Sequence, residues 1–133
     1  LSIIITGTAA DKPLAEAIQS TMRHRASDMT GQTSLSELAT LCHHSRFVVA
    51  GDTGPMHLAA AAGARVIALY GPTSPLLNGP RGEEDICQVI WQPAACKTTP
   101  CANEDCDHPT ILNKISPRRI FDTARSWTLL GLS

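Results

Sequence analysis

The sequence predicts an α/β fold, a Rossmann-like parallel sheet with helices on both faces. Three short apolar runs, at residues 2–6, 47–50 and 66–70, each lead into a glycine-bearing turn. Continuous apolar runs of this length are typical of strands that are buried on both sides. Segments with apolar residues at helical spacing alternate with these runs, and such alternation indicates a parallel sheet covered by helices.

The first third of the chain predicts one strand and two helices. The strand at 2–6 precedes a helix that Asp11 caps. After a polar connection at 27–33, Ser34 and Glu37 form a capping box that opens the second helix. Helical spacing predicts that the first helix directs these residues inward: Leu14, Ala17, Ile18 and Met22. For the second helix the inward residues are Leu35, Leu38, Leu41 and Cys42.

The rest of the chain predicts two further strands, an edge strand and two helices. Pro55 suits the first position of an alanine-rich helix after the strand at 47–50, and Gly63 suits its exit. The strand at 66–70 is expected to be fully buried, and residues 85–91 indicate a weaker strand at a sheet edge. Ser116 and Pro117 open a last helix, which is predicted to bury Ile120, Phe121, Ala124 and Trp127.

Length and composition restrict the classes of protein that need to be considered. The chain has 133 residues, 43% of them hydrophobic, which suits one globular domain spanning 1–133. Its net charge of −1 argues against a protein that binds nucleic acid by neutralising phosphates. No apolar stretch reaches the roughly 20 residues of a membrane span, so we expect at most peripheral membrane association. Because the sequence starts with Leu1 and not with Met, and a predicted core strand begins already at Ser2, we expect a fragment of a longer protein.

Three of the five cysteines lie close together near the end of the chain. Cys96, Cys101 and Cys106 are separated by four residues each, and His108 follows. Four such ligands can form a closed tetrahedral zinc site, although the ligand pairs of zinc fingers are spaced more tightly. A disulfide and free thiols in a surface loop are the alternatives. An odd number of cysteines without an export signal favours free thiols in a reducing compartment.

The turn at 52–57, between a predicted strand and the alanine-rich helix, is the main candidate site. Ligands of open parallel sheets bind beyond the carboxyl ends of the strands, and a helix N-terminus attracts phosphate. We expect Gly54 to permit close approach of a phosphate, with four backbone N–H donors: Thr53, Gly54, Met56 and His57. An ordinary interpretation stays open for Asp52, as a turn carboxylate, and for His57, as a side chain packed in the first helical turn.

A second turn, at 71–75, follows the next predicted strand and is expected at the same edge of the sheet. Its hydroxyl residue Thr73 is a candidate phosphate or sugar contact, with an ordinary turn residue as the alternative. The chain contains neither a P-loop motif nor a G-x-G-x-x-G motif after a strand. Those two kinds of nucleotide site are therefore not supported.

Residues 52–61, Gly63 and residues 66–75 together closely resemble the bacterial ADP-heptose:lipopolysaccharide heptosyltransferases of glycosyltransferase family 9. The paired motifs are D-T-G-x-x-H, which begins at Asp52, and Y-G-P-T-x-P, which begins at Tyr70. The similarity extends to residues 31–38, to the cysteine loop and to residues 115–117, so it covers nearly the whole chain.

The resemblance implies a GT-B architecture, in which two Rossmann-like domains face a cleft. This chain then corresponds to the C-terminal half, which binds the nucleotide-sugar donor. The residues that the resemblance places around the donor diphosphate are Asp52, Thr53, Gly54 and His57. The residues that it places around the nucleoside are Asp11, Thr33, Ser34 and Leu35, with Asp11 near the ribose.

The resemblance further implies an inverting glycosyl transfer in the cytoplasm, in which this half stabilises the departing ADP. The implied partners are an ADP-sugar donor and a lipopolysaccharide-core acceptor, which the absent N-terminal domain would bind. No cofactor, resident metal or nucleic acid is implied. No catalytic residue is expected in this fragment, which alone should be inactive. The alternative is a non-catalytic α/β regulatory or interaction domain, with or without a zinc-binding cysteine loop.

Overall fold

The computed structural model describes three stretches of the chain: residues 2–81, 85–93 and 109–129. The chain divides into two compact units: Leu1–Leu38 and Ala39–Ser133. Parallel strands and helices build both units, so the predicted α/β class is confirmed. The predicted zinc ligands lie outside the described residues: Cys96, Cys101, Cys106 and His108.

The first unit contains a two-stranded parallel sheet. Its second strand lies in the segment that the sequence predicted as a polar connection. Two polar residues carry no apolar periodicity, so the pattern contained no signal for this strand. The elements are β1 (Ile4–Ile5), a 3₁₀ turn (Ala9–Asp11), α1 (Lys12–Thr21), β2 (Ser27–Asp28) and α2 (Leu35–His44), which continues into the second unit.

Several burial predictions for the first unit are wrong. Leu14 of α1 is 62% exposed, Ile18 is also exposed, and Ala15 is the buried residue of that helix. Ile4 of β1 is exposed although its strand was expected to be covered on both sides. Leu35 of α2 is 74% exposed. Helical spacing identifies residues that share a face, but it does not say whether another element covers that face.

The second unit contains a three-stranded parallel sheet in the order β3-β4-β5. Its central strand is buried almost throughout, as predicted, whereas β3 and β5 are only partly buried. The short helical turn α4 was not predicted. The elements are β3 (Val48–Gly51), α3 (Gly54–Ala61), β4 (Val66–Tyr70), α4 (Pro75–Asn78), β5 (Cys87–Trp91), α5 (Pro109–Leu112) and α6 (Pro117–Leu129).

Helices α3 and α6 pack on this sheet through different residues. Ile67 of β4 belongs to a buried cluster that includes Trp127 of α6. Strand alternation directs Val66, Ala68 and Tyr70 to the other face, and α3 contacts both β3 and β4. The inward face predicted for α6 is confirmed for most of its members, but Phe121 is exposed. Among the described residues, no helix combines the length and the apolar character that crossing a bilayer requires.

Candidate functional site

The two candidate turns leave neighbouring strands at one edge of the three-stranded sheet. Gly51, the last residue of β3, pairs with Leu69 of β4, and both strands run in the same direction. The next residues, Asp52 and Tyr70, therefore lie side by side where the turns begin. Because paired positions of parallel strands direct side chains to the same face, both side chains point toward the face that α3 covers. The prediction that both turns share a carboxyl edge is confirmed.

The start of α3 provides two free backbone donors, not the four that were predicted. Thr53 is the N-cap residue, and its carbonyl oxygen accepts from the N–H groups of Met56, at 3.1 Å, and His57, at 3.4 Å. The helix itself therefore uses those two donors. Among the described residues, the N–H groups of Thr53 and Gly54 have no hydrogen-bond partner. Free N–H groups at a helix N-terminus carry a partial positive charge and favour an anion.

Gly54 stands at the first position of α3, and Pro55 follows at the second. A Cβ built on Gly54 would meet no atom within 4 Å, and its backbone is not in the left-handed region. The fold of this unit therefore does not require glycine at this position. The absence of a side chain leaves the space around the Gly54 backbone open.

Asp52 and His57 face each other across the turn. Asp52 Oδ1 lies 3.8 Å from His57 Nε2, with the Asp52 side chain 18% exposed and the His57 side chain 44% exposed. At this distance a protonated imidazole forms an ion pair with the carboxylate. Because Nε2 faces the carboxylate, the opposite ring nitrogen, Nδ1, is directed away from Asp52. These two side chains and the two free N–H groups belong to the same turn, and their place around a diphosphate stays a prediction.

Tyr70 is a part of this edge that the sequence analysis did not identify. Its side chain is completely buried, and its hydroxyl donates to the carbonyl oxygen of Asn78 at 2.6 Å. Burial, with a further contribution from the Asp52 carboxylate, raises the pKa of Tyr70 to about 12. Tyr70 therefore stays a neutral hydrogen-bond donor at physiological pH. The signals in the sequence were a hydroxyl at the end of an otherwise apolar strand and the place of Tyr70 at the start of the Y-G-P-T-x-P motif.

The turn after β4 is held in place by hydrogen bonds at several points. The indole Nε1 of Trp91 donates to the carbonyl oxygen of Gly71 at 3.2 Å. Ser74 is buried, and its carbonyl oxygen accepts from the N–H groups of Leu77 and Asn78. Thr73, the predicted phosphate or sugar contact, is half-buried within this fixed segment.

In the first unit, Asp11 caps the turn that precedes it and not α1 as predicted. Its carboxylate accepts from both the backbone N–H and the hydroxyl of Thr8, each at 2.7 Å. The bond from the Thr8 hydroxyl makes the larger contribution and the bond from the Thr8 N–H the smaller one, and together they hold the pKa of Asp11 below its usual value. The N–H of Gly31 donates to the carbonyl of Gly7 at 2.8 Å, which brings the segment after β2 against the segment after β1. Gly31 itself has a φ of +70°, which favours glycine.

The predicted capping box at the start of α2 is confirmed. The carboxylate of Glu37 accepts from the backbone N–H and the hydroxyl of Ser34, and the N–H of Glu37 bonds to the Ser34 hydroxyl at 3.3 Å. These bonds from Ser34 hold the pKa of Glu37 below its usual value. Thr33 is half-buried beside the box, and the exposed side chain of Leu35 is free to contact a ligand. The four predicted nucleoside residues thus lie on the two segments that follow β1 and β2.

Metal-binding groups are not assembled in the part of the chain that the structure describes. No cluster of three or more His, Cys, Asp or Glu side chains occurs there. Cys42 and Cys87 are free thiols, with pKa values that burial raises. The zinc hypothesis concerns Cys96, Cys101, Cys106 and His108 and stays a prediction.

Residues 1–107 match the model of glycosyltransferase family 9 (heptosyltransferase). The chain belongs to this family. Both turns of the candidate site, and the four predicted nucleoside residues, fall within the matched part of this family 9 chain.

Relatives of known name agree with the family assignment. The chain is 32% identical to lipooligosaccharide heptosyltransferase 2 of Haemophilus ducreyi, over 90% of this chain and 36% of the relative. It is 31% identical to lipopolysaccharide heptosyltransferase 1 of Pseudomonas aeruginosa, over 92% of this chain and 32% of the relative. This family 9 chain therefore spans about a third of the length of these relatives.

A solved structure shares the fold of the chain. The structure of ADP-heptose lps heptosyltransferase II from Escherichia coli superposes with a TM-score of 0.79 at 24% identity. The superposition covers 99% of this family 9 chain and 38% of the solved chain. At this level of identity the superposition shows the fold alone.

Proposed function

We propose that this chain is the donor-binding part of a heptosyltransferase-type glycosyltransferase that acts in the synthesis of the lipopolysaccharide core. In this proposal it is the C-terminal half of a GT-B enzyme and holds the ADP of an ADP-sugar. The acceptor and the base that activates it belong to the other half. The family match and the named heptosyltransferase relatives support the reaction class. The cytoplasm as the compartment is part of the same proposal.

The observation that carries the proposal is the pair of free N–H groups on Thr53 and Gly54. They lie at the N-terminus of α3 beside His57, with no side chain at Gly54 to block an approaching oxygen. A diphosphate matches this arrangement because its oxygens accept from backbone donors and its charge is favoured by the helix dipole. Backbone donors also explain how a chain with a net charge of −1 would hold an anionic ligand.

Asp52 acts through His57 in this proposal. A carboxylate placed against a diphosphate would repel it, whereas the same carboxylate beside an imidazole can orient the ring. His57 Nε2 faces Asp52 at 3.8 Å, so the ring would direct its other nitrogen away from Asp52 and toward the phosphate. Asp52 would thus belong to the diphosphate site as a residue that orients His57.

The reaction that this half would support is displacement at the anomeric carbon. An acceptor hydroxyl, losing its proton to a base of the other half, forms a bond to that carbon. The bond between the carbon and the ADP oxygen breaks, and its electron pair stays on the ADP. The N–H groups of Thr53 and Gly54 and the ring of His57 would stabilise the negative charge that develops there, which is an electrostatic contribution.

The proposal is tested by calorimetric titration of the chain with ADP. His57→Ala is expected to weaken ADP binding by about 1.5–3 kcal/mol, because a charge-assisted hydrogen bond is lost. This corresponds to a roughly 10- to 150-fold increase in Kd. His44→Ala is the matched control, since His44 is an exposed histidine at the end of α2.

Three results would contradict the proposal in different ways. Equal ADP affinity in the wild type and in His57→Ala would remove His57 from the site. No measurable binding of ADP to the wild-type chain would favour the alternative of a non-catalytic regulatory or interaction domain. Binding of AMP as tight as that of ADP would show that the diphosphate does not determine recognition.

A further inference from the structure

The loop between Tyr70 and Asn78 closes on itself at the edge of the sheet. The chain leaves β4 at Tyr70, passes through residues 71–74, forms α4 and returns, so that the Asn78 carbonyl lies over the Tyr70 hydroxyl at 2.6 Å. The donor is at the end of a core strand, and its side chain is completely buried. A single hydrogen bond therefore joins the rigid sheet to the far end of the loop that carries Thr73.

The same hydroxyl lies beside the other half of the candidate site. Asp52 follows β3 at the position next to Tyr70, and its carboxylate is close enough to disfavour the phenolate electrostatically. Asp52 in turn faces His57 at 3.8 Å. Tyr70 is thus in contact with the loop of Thr73 on one side and is adjacent to the Asp52–His57 pair on the other.

Other contacts hold the two ends of this loop. A Cβ on Gly79 would collide with the carbonyl oxygen of Pro75, so the chain passes closely over α4 where the loop ends. At its other end the Gly71 carbonyl is held by the indole of Trp91. Between these points, the Tyr70 hydroxyl provides the hydrogen bond from the sheet to the carboxyl end of α4.

We infer that Tyr70 is a positioning residue of the proposed donor site, whose hydroxyl holds the loop of Thr73 at a fixed place relative to Asp52 and His57. This inference rests on the proposed function, because it concerns the same ligand. Tyr70 is buried and does not touch the ligand itself. It acts by keeping two separate turns in the arrangement that one diphosphate-linked sugar would contact, which lowers the cost of ordering the loop on binding.

The test is Tyr70→Phe in the full chain, with ADP as the probe. The ring and its packing are kept, and only the hydroxyl is removed. ADP is expected to bind about 5- to 10-fold more weakly, at a temperature where the variant is fully folded. Ile67→Val is the matched control, because Ile67 is a buried residue of the same strand on the face that packs on α6. It should lower the melting temperature and leave the Kd for ADP unchanged.

A double-mutant cycle separates positioning from a general loss of stability. If Tyr70 acts through the loop of Thr73, then adding Tyr70→Phe to a chain that already carries Thr73→Ala should change the Kd by less than about twofold. Full additivity of the two substitutions would overturn the inference. An unchanged Kd for ADP in Tyr70→Phe would also overturn the inference. A loss of ADP affinity in Ile67→Val as large as that in Tyr70→Phe would overturn it as well.

Hydrogen exchange without nucleotide distinguishes this inference from the proposed function. The amides of Leu77 and Asn78 bond to the Ser74 carbonyl, so they report on the order of the loop. In Tyr70→Phe they are expected to exchange at least about tenfold faster, while the amides of β4 stay protected. If wild-type chain binds no ADP, the proposed function fails. The exchange result decides the role of Tyr70 separately from ADP binding. Unchanged exchange of these two amides in Tyr70→Phe would overturn that role, and faster exchange would support the role of Tyr70 in holding the loop.

Discussion

Replacement of Gly54 by alanine separates a ligand-binding requirement from a folding requirement. Gly54 occupies the first position of α3, where a Cβ would meet no atom within 4 Å. The folded unit accepts the methyl group without strain. Because alanine has less freedom than glycine in the unfolded chain and favours helix, Gly54→Ala should keep or raise the free energy of unfolding, by up to about 1 kcal/mol.

The same substitution should weaken the binding of ADP. The methyl group would occupy the space beside the free N–H groups of Thr53 and Gly54. Losing one hydrogen bond between an N–H group and a charged phosphate costs about 1.5–3 kcal/mol, so the Kd for ADP should rise at least about tenfold. Calorimetric titration gives the Kd, and thermal unfolding followed by circular dichroism gives the stability.

Gly63→Ala is the matched control, because its φ of +75° lies in the left-handed region. That substitution should cost about 1–2 kcal/mol of stability and lower the melting temperature by several degrees. Gly63 lies just beyond the opposite end of α3, so the Kd for ADP should not change. If Gly54→Ala bound ADP as tightly as the wild type, the reasoning from free N–H groups would be refuted. A loss of stability in Gly54→Ala equal to that in Gly63→Ala would show that the glycine serves the fold.

Two other predictions concern the first unit. Hydrogen bonds from Lys12 and Thr30 lower the pKa of Asp28 from 3.8 to about 2, so this carboxylate contributes stability above its unfolded pKa and loses it as the pH falls toward 2. In urea unfolding, the free energy of unfolding of Asp28→Asn should therefore be lower than that of the wild type at pH 7, and almost equal to it near pH 2. A difference in the free energy of unfolding that does not vary with pH would contradict this prediction. Leu35→Ala should change stability by less than about 0.5 kcal/mol, because the side chain is 74% exposed. If Leu35 contacts the base, as the family resemblance implies, the variant should bind ADP about fivefold more weakly and pyrophosphate equally well, since about 1 kcal/mol of apolar contact is lost.

Elements that depend on neighbouring residues in the chain were predictable from the sequence. The capping box of Ser34 and Glu37 forms because the two residues are three positions apart at a helix start. Gly63 ends α3 because its φ of +75° is accessible to glycine at little cost. Strand β4 was predictable because every residue in it is apolar, which suits a strand covered on both faces. The turn at 52–57 was also predicted as the candidate site, since a strand end, a glycine and a helix start follow one another directly.

Only the tertiary structure decided features that depend on distant parts of the chain. Leu14 has the spacing of an inward residue but is exposed, because periodicity does not identify what covers a face. Tyr70 meets Asn78 because the loop between them folds back, and local sequence pattern does not encode that path. The side chain of Trp91 on β5 holds the carbonyl oxygen of Gly71 in the turn after β4, and these two residues lie 20 positions apart in the chain. Local pattern thus determined which residues could form the site, and long-range packing determined how the two turns that carry them are placed side by side.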